Sequence, residues 1–211
     1  MPERFDVATL RRAYRETDLT PRAVVEEAIA RADADEALNV WIERCDEAAL
    51  ARADDLAEVD PASRPLYGVP FAVKDNVDAA GVPTTAACPA YEYVPEESAT
   101  VVERLREAGA VLLGKTNMDQ FATGLVGTRS PYGICRNAHD PSMIAGGSSS
   151  GSGVAVARGQ VSFALGTDTA GSGRVPAALN GVVGYKPSYG RIPLDGVIPF
   201  APSVDHVGTF T

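Results

Sequence analysis

Histidine and cysteine are scarce in this sequence, and their scarcity excludes several kinds of site. The 211 residues include two histidines, His139 and His206, and three cysteines, Cys45, Cys88 and Cys135. No two cysteines have the C-x-x-C spacing of a zinc site, and three scattered cysteines do not indicate a disulfide framework. The sequence therefore predicts no metal centre, and it offers few histidines that could serve as the base of a serine hydrolase.

Long apolar runs and clustered positive charge are also missing. No stretch reaches the ~18 apolar residues that span a membrane, so no membrane partner is expected. The start, MPERFDVATLRRAY, lacks the apolar segment of a secretory signal, which favours the reducing cytoplasm as the location. The formal net charge of -9 argues against nucleic acid as a partner, because a phosphate-binding face needs clustered Lys and Arg.

Lysine is rare among the charged side chains. Only Lys74, Lys115 and Lys186 occur, against sixteen arginines. With so few lysines, each one is a candidate for a specific role.

The first sixty residues have the pattern of helices. Thr20 followed by Pro21 is a typical N-cap and first helical residue, and an apolar face follows. A second helical run is expected over about residues 43–58. The segment DPASRP (60–65) then interrupts the pattern and predicts a connection into the main body of the protein.

Beyond that connection, apolar strands alternate with helices. The expected elements are a strand over 68–76, a helix over 98–109 capped by Ser98 and stopped by Gly109, a strand over 110–116 and a helix over 117–124. This alternation predicts an α/β fold with a partly parallel sheet. The predicted domains are a helical segment over 1–60 and an α/β domain over 61–211.

The stretch GAVLLGKT (109–116) matches the phosphate-loop pattern G-x-x-x-x-G-K-[ST]. A phosphate loop needs its four variable residues in an open loop that follows a strand. Here those residues are Ala, Val, Leu and Leu, which favour a strand, and a helix precedes them. The sequence therefore predicts a strand and not a nucleotide site.

Two stretches crowd serines among glycines, AGGSSSGSG (145–153) and GTDTAGSGRVP (166–176). Read alone, the first could be a flexible linker. It also satisfies G-x-S-x-G with Ser149 as nucleophile, but that motif needs a later acid and histidine, and only His206 follows. Without a histidine partner, another base has to take the proton of a reactive serine.

Lysine is a candidate base when it is neutral. Its pKa must then fall from about 10.4 towards about 7–8, and burial among apolar groups lowers it because the ammonium form loses its solvation. Lys74 ends the apolar run Val69–Val73, which places it at the edge of a core. In a strand, Asp75 would point to the opposite face, so it need not keep Lys74 protonated.

Together and in this order, VKDN (73–76), GGSSSGSG (146–153) and GTDTAGSGRVPAA (166–178) resemble the amidase signature family of serine hydrolases. The resemblance runs from about residue 66 to the end of the chain. That family uses a Ser–cis-Ser–Lys triad, and residue-by-residue matching implies Lys74 as base, Ser148 as bridging serine and Ser172 as nucleophile. Gly146 and Gly147 would let the backbone adopt the shape required before Ser148.

The resemblance also assigns supporting roles around the nucleophile. The backbone N–H groups of the turn would stabilise the oxyanion, and they belong to Thr169, Ala170, Gly171 and Ser172. Asp168 and Arg174 are expected to pair and hold this turn. The other serines of the first stretch, Ser149, Ser150 and Ser152, are expected to form turns and hydrogen bonds.

The implied reaction is acyl transfer from a small-molecule amide through an acyl-enzyme, with no metal or organic cofactor. Within the family, TTAACPAY (84–91), the stretch 115–133 and the Ala170 turn resemble the allophanate hydrolases, which split urea-1-carboxylate to ammonia and carbon dioxide. The alternatives are a general amidase and the glutamine-hydrolysing subunit of a tRNA-dependent amidotransferase. Arg129 and Arg136 are candidates for a substrate carboxylate, although a surface position is expected for both.

The implied fold is a mixed sheet flanked by helices. Family members are typically about twice as long, so the sheet is expected to be incomplete at the C-terminus. This predicts a competing possibility, an inactive half that needs a partner chain, with a long exposed apolar edge as its mark. The resemblance also suggests a homodimer.

Overall fold

The computed structural model describes residues 5–211, and it consists of six helices and a six-stranded sheet. The helices are α1 (Val7–Glu16), α2 (Pro21–Ala34), α3 (Asp46–Ala57), α4 (Thr100–Glu107), α5 (Ser150–Ala157) and α6 (Arg174–Leu179). The strands are β1 (Trp41–Arg44), β2 (Pro70–Lys74), β3 (Val111–Thr116), β4 (Phe163–Thr167), β5 (Gly184–Tyr185) and β6 (Val207–Phe210). Within residues 5–211, no helix has the length and apolar character needed to cross a bilayer.

The strands lie in the order β1-β3-β2-β4-β6-β5. The central strands β3, β2 and β4 are parallel, whereas β1, β6 and β5 pair antiparallel with their neighbours. Helices α2 and α3 pack on each other and on β3, and α5 packs on β2, β3 and β4. The predicted α/β class with a mixed sheet flanked by helices is confirmed. The expected incompleteness at the C-terminus stays a prediction.

The core is continuous across the central strands. The rings of Phe71 in β2 and Phe163 in β4 stack with centroids 5.5 Å apart. Every residue of β2 and β4 is buried, as expected for parallel strands that are covered on both faces. The ends of β2 and β4 are therefore held rigidly, which positions whatever side chains follow them.

The predicted start of α2 is confirmed. Thr20 is the N-cap, its Oγ1 accepts a hydrogen bond of 3.2 Å from the N–H of Ala23, and Pro21 is the first helical residue. This cap satisfies one of the N–H groups that the first turn of a helix leaves without a partner.

The expected helix over about 43–58 begins later than predicted, because its first residues belong to a strand. β1 pairs with β3, and α3 starts at Asp46. Gly114 permits the close approach of the two strands, since a Cβ there would lie 2.2 Å from the Glu43 carbonyl oxygen. A strand from within residues 1–60 thus joins the sheet, and the domain boundary near residue 60 stays a prediction.

The helix expected over 117–124 is wrong. The segment has only a 3-10 turn at Gln120–Ala122, and Phe121 has a left-handed φ of 49°. Tertiary hydrogen bonds account for this shape: the Asn117 amide donates to the Asn39 and Gly133 carbonyls, and the Phe121 N–H donates to the Ala86 carbonyl. These contacts come from distant segments and outweigh the local helical preference.

The predicted capping of α4 by Ser98 is also wrong. Ser98 Oγ accepts from the Ala80 N–H, and the N–H of Thr100 instead donates to Asp195 Oδ2 at 3.1 Å. The Thr100 hydroxyl donates to the same oxygen. The first turn of α4 is therefore capped by a residue 95 positions later in the chain.

Replacing Asp195 with alanine is expected to destabilise the protein by about 1 kcal/mol, since α4 would lose this cap. Urea unfolding followed by circular dichroism measures the change. Ser98→Ala serves as the comparison, and it should leave the first turn of α4 intact. A loss of α4 helicity in Ser98→Ala but not in Asp195→Ala would contradict this assignment.

Candidate active site

The carboxyl ends of β2 and β4 lie side by side because these strands are adjacent and parallel. Lys74 is the last residue of β2, and Thr167 is the last residue of β4. Asp168 and the turn that contains Ser172 follow β4 directly. The edge of the sheet thus brings together two of the sequence stretches singled out for catalysis.

Lys74 is fully buried and faces two hydroxyl groups. Its Nζ lies 2.7 Å from Ser148 Oγ and 2.7 Å from Thr167 Oγ1. Burial lowers the pKa of Lys74 from 10.5 to about 7, although the charges of Asp119, Asp168 and Asp205 act to raise it. An amine in this position is neutral in a large fraction of molecules near neutral pH, and it can accept a proton.

Asp75 points to the opposite face of the strand. Its carboxylate lies 3.5 Å from Lys115 Nζ and accepts hydrogen bonds from the Thr85 N–H, the Thr85 hydroxyl and the Ala87 N–H. Lys115 is fully buried as well, and it donates to Thr84 Oγ1 at 2.6 Å. Asp75 therefore neutralises Lys115 and leaves Lys74 without a carboxylate partner in direct contact.

Ser148 is held by its backbone as well as by Lys74. The Gly147–Ser148 peptide bond is cis. The Gly147 N–H donates to the Leu125 carbonyl at 2.9 Å, and the Ser148 carbonyl accepts from the Asp119 N–H at 3.0 Å. Gly146 has a φ of +77°, and a Cβ there would lie 2.9 Å from the backbone of Pro176. The glycines thus allow a close approach that side chains would prevent.

Ser172 lies next to this segment. It is 5% exposed, and its carbonyl accepts a hydrogen bond of 3.2 Å from the Ser149 N–H. Its hydroxyl forms no hydrogen bond to any residue that the structure describes, Ser148 included. The contact between Lys74 and Ser148 is thus formed, whereas a contact between the two serine hydroxyls is not.

The Asp168 carboxylate anchors the turn that carries Ser172. It accepts from the N–H groups of Gly171, Gly173 and Arg174 at 2.9, 3.1 and 3.2 Å. The Arg174 side chain adds two hydrogen bonds of 2.9 and 3.0 Å, and Lys186 Nζ lies 3.1 Å away. Burial acts to raise the pKa of Asp168, but these donors outweigh burial and lower the pKa below its ordinary value. The carboxylate therefore stays ionised and keeps the turn rigid.

The four N–H groups assigned to an oxyanion site are not equivalent. That of Gly171 donates to Asp168. Those of Thr169, Ala170 and Ser172 donate to no acceptor within residues 5–211. Three of the four candidate donors are thus available to a ligand, and the fourth serves the turn itself.

Several residues that hold the site were not expected from the sequence. Thr167 contacts Lys74, and Lys186 Nζ donates to the Thr169 carbonyl at 2.9 Å. Asp205 accepts from the Thr169 hydroxyl and from two backbone N–H groups of the segment before it. The rarity of lysine was the one signal that pointed to Lys186.

The remaining sequence candidates make structural contacts. Ser149 and Ser152 donate to the carbonyls of Thr167 and Leu165, and Ser150 donates to that of Asn117. His139 contacts the Asn180 carbonyl, His206 contacts the Val204 carbonyl, and Arg129 and Arg136 are both exposed. The phosphate-loop match is strand β3. Ser149 therefore has no histidine partner in the part of the chain that the structure describes.

Replacing Gly147 with alanine is expected to disrupt this arrangement. The new Cβ would lie 2.1 Å from Asp119 Oδ2 and 2.8 Å from the Gly127 backbone nitrogen, so backbone would have to move. Overpacking of this kind costs about 1–3 kcal/mol. Urea unfolding measures the loss. Gly190→Ala is the matched control, because a Cβ there meets no atom within 4 Å and only its φ of +74° is unfavourable. Equal losses in the two variants would contradict the predicted clash.

The chain is similar to known proteins over most of its length. The family model described as Amidase matches residues 23–211. Urea amidolyase of Lachancea kluyveri is 55% identical over 172 residues, which cover 81% of this chain and 9% of that protein. A subunit of the glutamyl-tRNA(Gln) amidotransferase of Streptococcus thermophilus is 48% identical over 198 residues, covering 92% of this chain and 40% of that protein.

The chain is also similar to a solved structure. The allophanate hydrolase of Kluyveromyces lactis superposes with a TM-score of 0.87 at 46% identity, covering 98% of this chain and 34% of that one. The chain thus spans less than half the length of each of these three proteins.

Proposed function

The chain belongs to the amidase signature family, and from this premise we propose that the protein hydrolyses linear amide C–N bonds with Ser172 as nucleophile, Ser148 as proton bridge and Lys74 as base. The observation that carries the proposal is the buried Lys74 with a pKa of about 7, whose Nζ lies 2.7 Å from Ser148 Oγ. A neutral amine in contact with one serine, beside a second serine on a rigid turn, is the arrangement that a histidine-free serine hydrolase needs.

The proposed reaction runs through an acyl-enzyme. Ser172 Oγ attacks the amide carbonyl carbon while its proton passes to Ser148 Oγ, and the proton of Ser148 passes to Lys74 Nζ. The returning proton goes to the leaving nitrogen as the C–N bond breaks, which releases an amine or ammonia. Water then attacks the ester by the same route and releases the acid. The two serine hydroxyls must approach each other for this step, and catalytic contacts often tighten only when substrate binds.

The oxyanion that forms during both steps needs donors. The N–H groups of Thr169, Ala170 and Ser172 are proposed for this role, because no other acceptor within residues 5–211 uses them. The Gly171 N–H would contribute only if its hydrogen bond to the Asp168 carboxylate broke. One such donor is worth about 3–4 kcal/mol in related hydrolases.

Allophanate is the proposed substrate. The support is the likeness to a urea amidolyase and to an allophanate hydrolase, together with Ala170 in the nucleophile turn. The products would be ammonia and carbon dioxide. The alternative is a general amidase or a glutamine-hydrolysing component of an amidotransferase, and the 48% identity to an amidotransferase from Streptococcus thermophilus supports the latter.

A second candidate is a chain whose site is completed by another chain, either a second copy or a different partner. Its support is the apolar side chains that the segment 183–200, which contains the edge strand β5, exposes: Val183, Tyr185, Tyr189 and Phe200 are each more than half exposed. Exposed apolar side chains mark an association surface where they form one contiguous patch. The homodimer and the cytoplasmic location expected from the sequence stay predictions.

The test is ammonia release by the purified 211-residue protein from allophanate, with a simple amide such as acetamide for comparison. Release from allophanate alone supports the proposed substrate. Release from both supports a general amidase. No release from a folded protein contradicts activity of the isolated chain and favours the second candidate.

A further inference from the structure

Asp119 lies beside the proposed bridging serine but belongs to a different segment. It follows β3 by three residues, is fully buried, and donates its N–H to the Ser148 carbonyl at 3.0 Å. Its backbone therefore supports Ser148 directly, independently of the contact that Lys74 makes with the serine hydroxyl.

The Asp119 carboxylate joins the two ends of the loop over residues 119–129 by hydrogen bonds. Oδ2 accepts from the Gly127 N–H at 3.1 Å, and Oδ1 accepts from the Arg129 N–H at 2.8 Å. Leu125, within this loop, accepts the N–H of Gly147 at 2.9 Å. Both backbone contacts that hold the Gly147–Ser148 peptide thus come from one loop, and the carboxylate of Asp119 fixes that loop.

The space around the carboxylate is filled closely. A Cβ added at Gly124 would lie 2.6 Å from Asp119 Oδ2, and one added at Gly147 would lie 2.1 Å from the same oxygen. Glycine at these positions lets the backbone approach the carboxylate on two sides. The carboxylate is therefore enclosed by its own loop and by the segment that leads into Ser148.

The Asp119 carboxylate forms no salt bridge within residues 5–211. Its hydrogen-bond donors are neutral backbone amides. Asp168 is paired with Arg174 and Lys186. A buried charge outside a salt bridge acts over a longer distance than a paired one, because little solvent or counter-charge screens it.

Lys74 is the group on which this charge acts. The carboxylates that raise the pKa of Lys74 are those of Asp119, Asp168 and Asp205, in descending order of effect. Asp75, on the same strand, faces Lys115 instead. Among the acidic groups around the buried amine, Asp119 thus exerts the largest effect.

We propose that Asp119 is a positioning residue of the active site: its carboxylate fixes the loop that holds the Gly147–Ser148 peptide, and its charge stabilises the ammonium form that Lys74 takes when it accepts the proton. The role deepens the proposed function and rests on it. The Asp119 carboxylate would thereby position Ser148 and favour protonated Lys74.

The test uses the scarcity of lysine. With only three lysines in the chain, ¹³C-lysine NMR resolves each side chain, and Lys→Arg variants assign the resonances. Asp119→Asn removes the charge at nearly constant volume. The titration midpoint of Lys74 is expected to fall by about one pH unit, since an opposite charge that favoured the ammonium form is lost. The Lys115 resonance is the internal control, because the charges that raise its pKa are those of Asp75, Asp78 and Cys45.

Asp119→Glu keeps the charge and should keep the Lys74 midpoint close to the wild-type value. An unchanged midpoint in folded Asp119→Asn would overturn the proposal. Should Asp119→Asn not fold, amide hydrogen exchange in the wild-type protein still tests the loop: the Gly127 and Arg129 N–H groups are expected to be protected, and rapid exchange at both would overturn it.

The same variants separate this inference from the proposed function. The NMR titration needs no activity, so a shifted Lys74 midpoint in an inactive protein supports the role of Asp119 and contradicts only the activity of the isolated chain. In an active protein, the acid limb of kcat/KM should move with the midpoint. A loss of kcat with no movement of that limb would indicate a purely structural residue and would also overturn the proposal.

Discussion

Replacing Ser172 with alanine is expected to lower amide hydrolysis by about 10⁴–10⁶-fold, which is the effect of removing the nucleophile from other serine hydrolases. The adjacent hydroxyls cannot substitute for it. Ser148 is bound to Lys74, and Ser149 donates to the Thr167 carbonyl. Ammonia release at saturating substrate measures the loss, and the melting temperature should change little because the Ser172 hydroxyl forms no hydrogen bond within residues 5–211.

Ser162→Ala is the matched control. Its Oγ is buried and has no hydrogen-bond partner among the described residues, so its removal should leave activity and stability close to those of the wild type. Residual activity in Ser172→Ala within tenfold of the wild type would place the nucleophile elsewhere. Equal losses in both variants would point to a general packing effect.

Replacing Lys74 with methionine is expected to lower activity by about 10²–10⁴-fold, because the general base is lost. In the wild type, kcat/KM should rise with pH through about 7, since only the neutral amine of Lys74 accepts a proton. The variant should lose this rise. A pH profile of ammonia release measures both effects, and an unaltered acid limb in the variant would contradict the assignment of Lys74 as base.

The same substitution should change the free energy of unfolding by an amount that depends on pH. The pKa of Lys74 is 10.5 in the unfolded chain and about 7 in the folded one, so the unfolded state binds more protons between these values. The wild type is therefore penalised fully below pH 7, and the penalty declines as pH rises towards 10.5. Relative to the wild type, Lys74→Met should gain about 3–5 kcal/mol more at pH 6 than at pH 10.

The comparison of two pH values removes the other consequences of this substitution. The hydroxyls of Ser148 and Thr167 lose a partner in the variant, which costs about 1–3 kcal/mol each at either pH. Urea unfolding at pH 6 and pH 10 measures the difference. Equal effects at the two pH values would show that Lys74 is not desolvated as the structure has it.

The sequence predicts what lies close together along the chain. The strands expected over 68–76 and 110–116 and the cap at Thr20 follow from local apolar runs and local turn chemistry. The structure has the two strands, with bounds Pro70–Lys74 and Val111–Thr116, and it has the cap. The family resemblance assigned Ser148 and Ser172, which no local pattern could pair with Lys74. Their catalytic roles stay predictions.

The contacts between distant segments could not be predicted in this way. Asp195 caps a helix that begins 95 residues before it, and Asp205 binds a hydroxyl 36 residues away. The helix expected over 117–124 fails for the same reason, since hydrogen bonds to distant carbonyls decide its shape. In the sequence Asp119 is one acidic residue of that expected helix, and only the fold places Gly147 against its carboxylate.

The positions of the lysines allow the unfolding of this protein to be followed by proteolysis. A lysine-specific protease needs an accessible, extended stretch of backbone on both sides of the side chain. Lys74 and Lys115 lie in central strands, and Lys186 is tethered to Asp168 and to the Thr169 carbonyl. Cleavage at Lys74 and Lys115 by such a protease would therefore be proportional to the fraction of opened molecules, and no added label is needed to measure it.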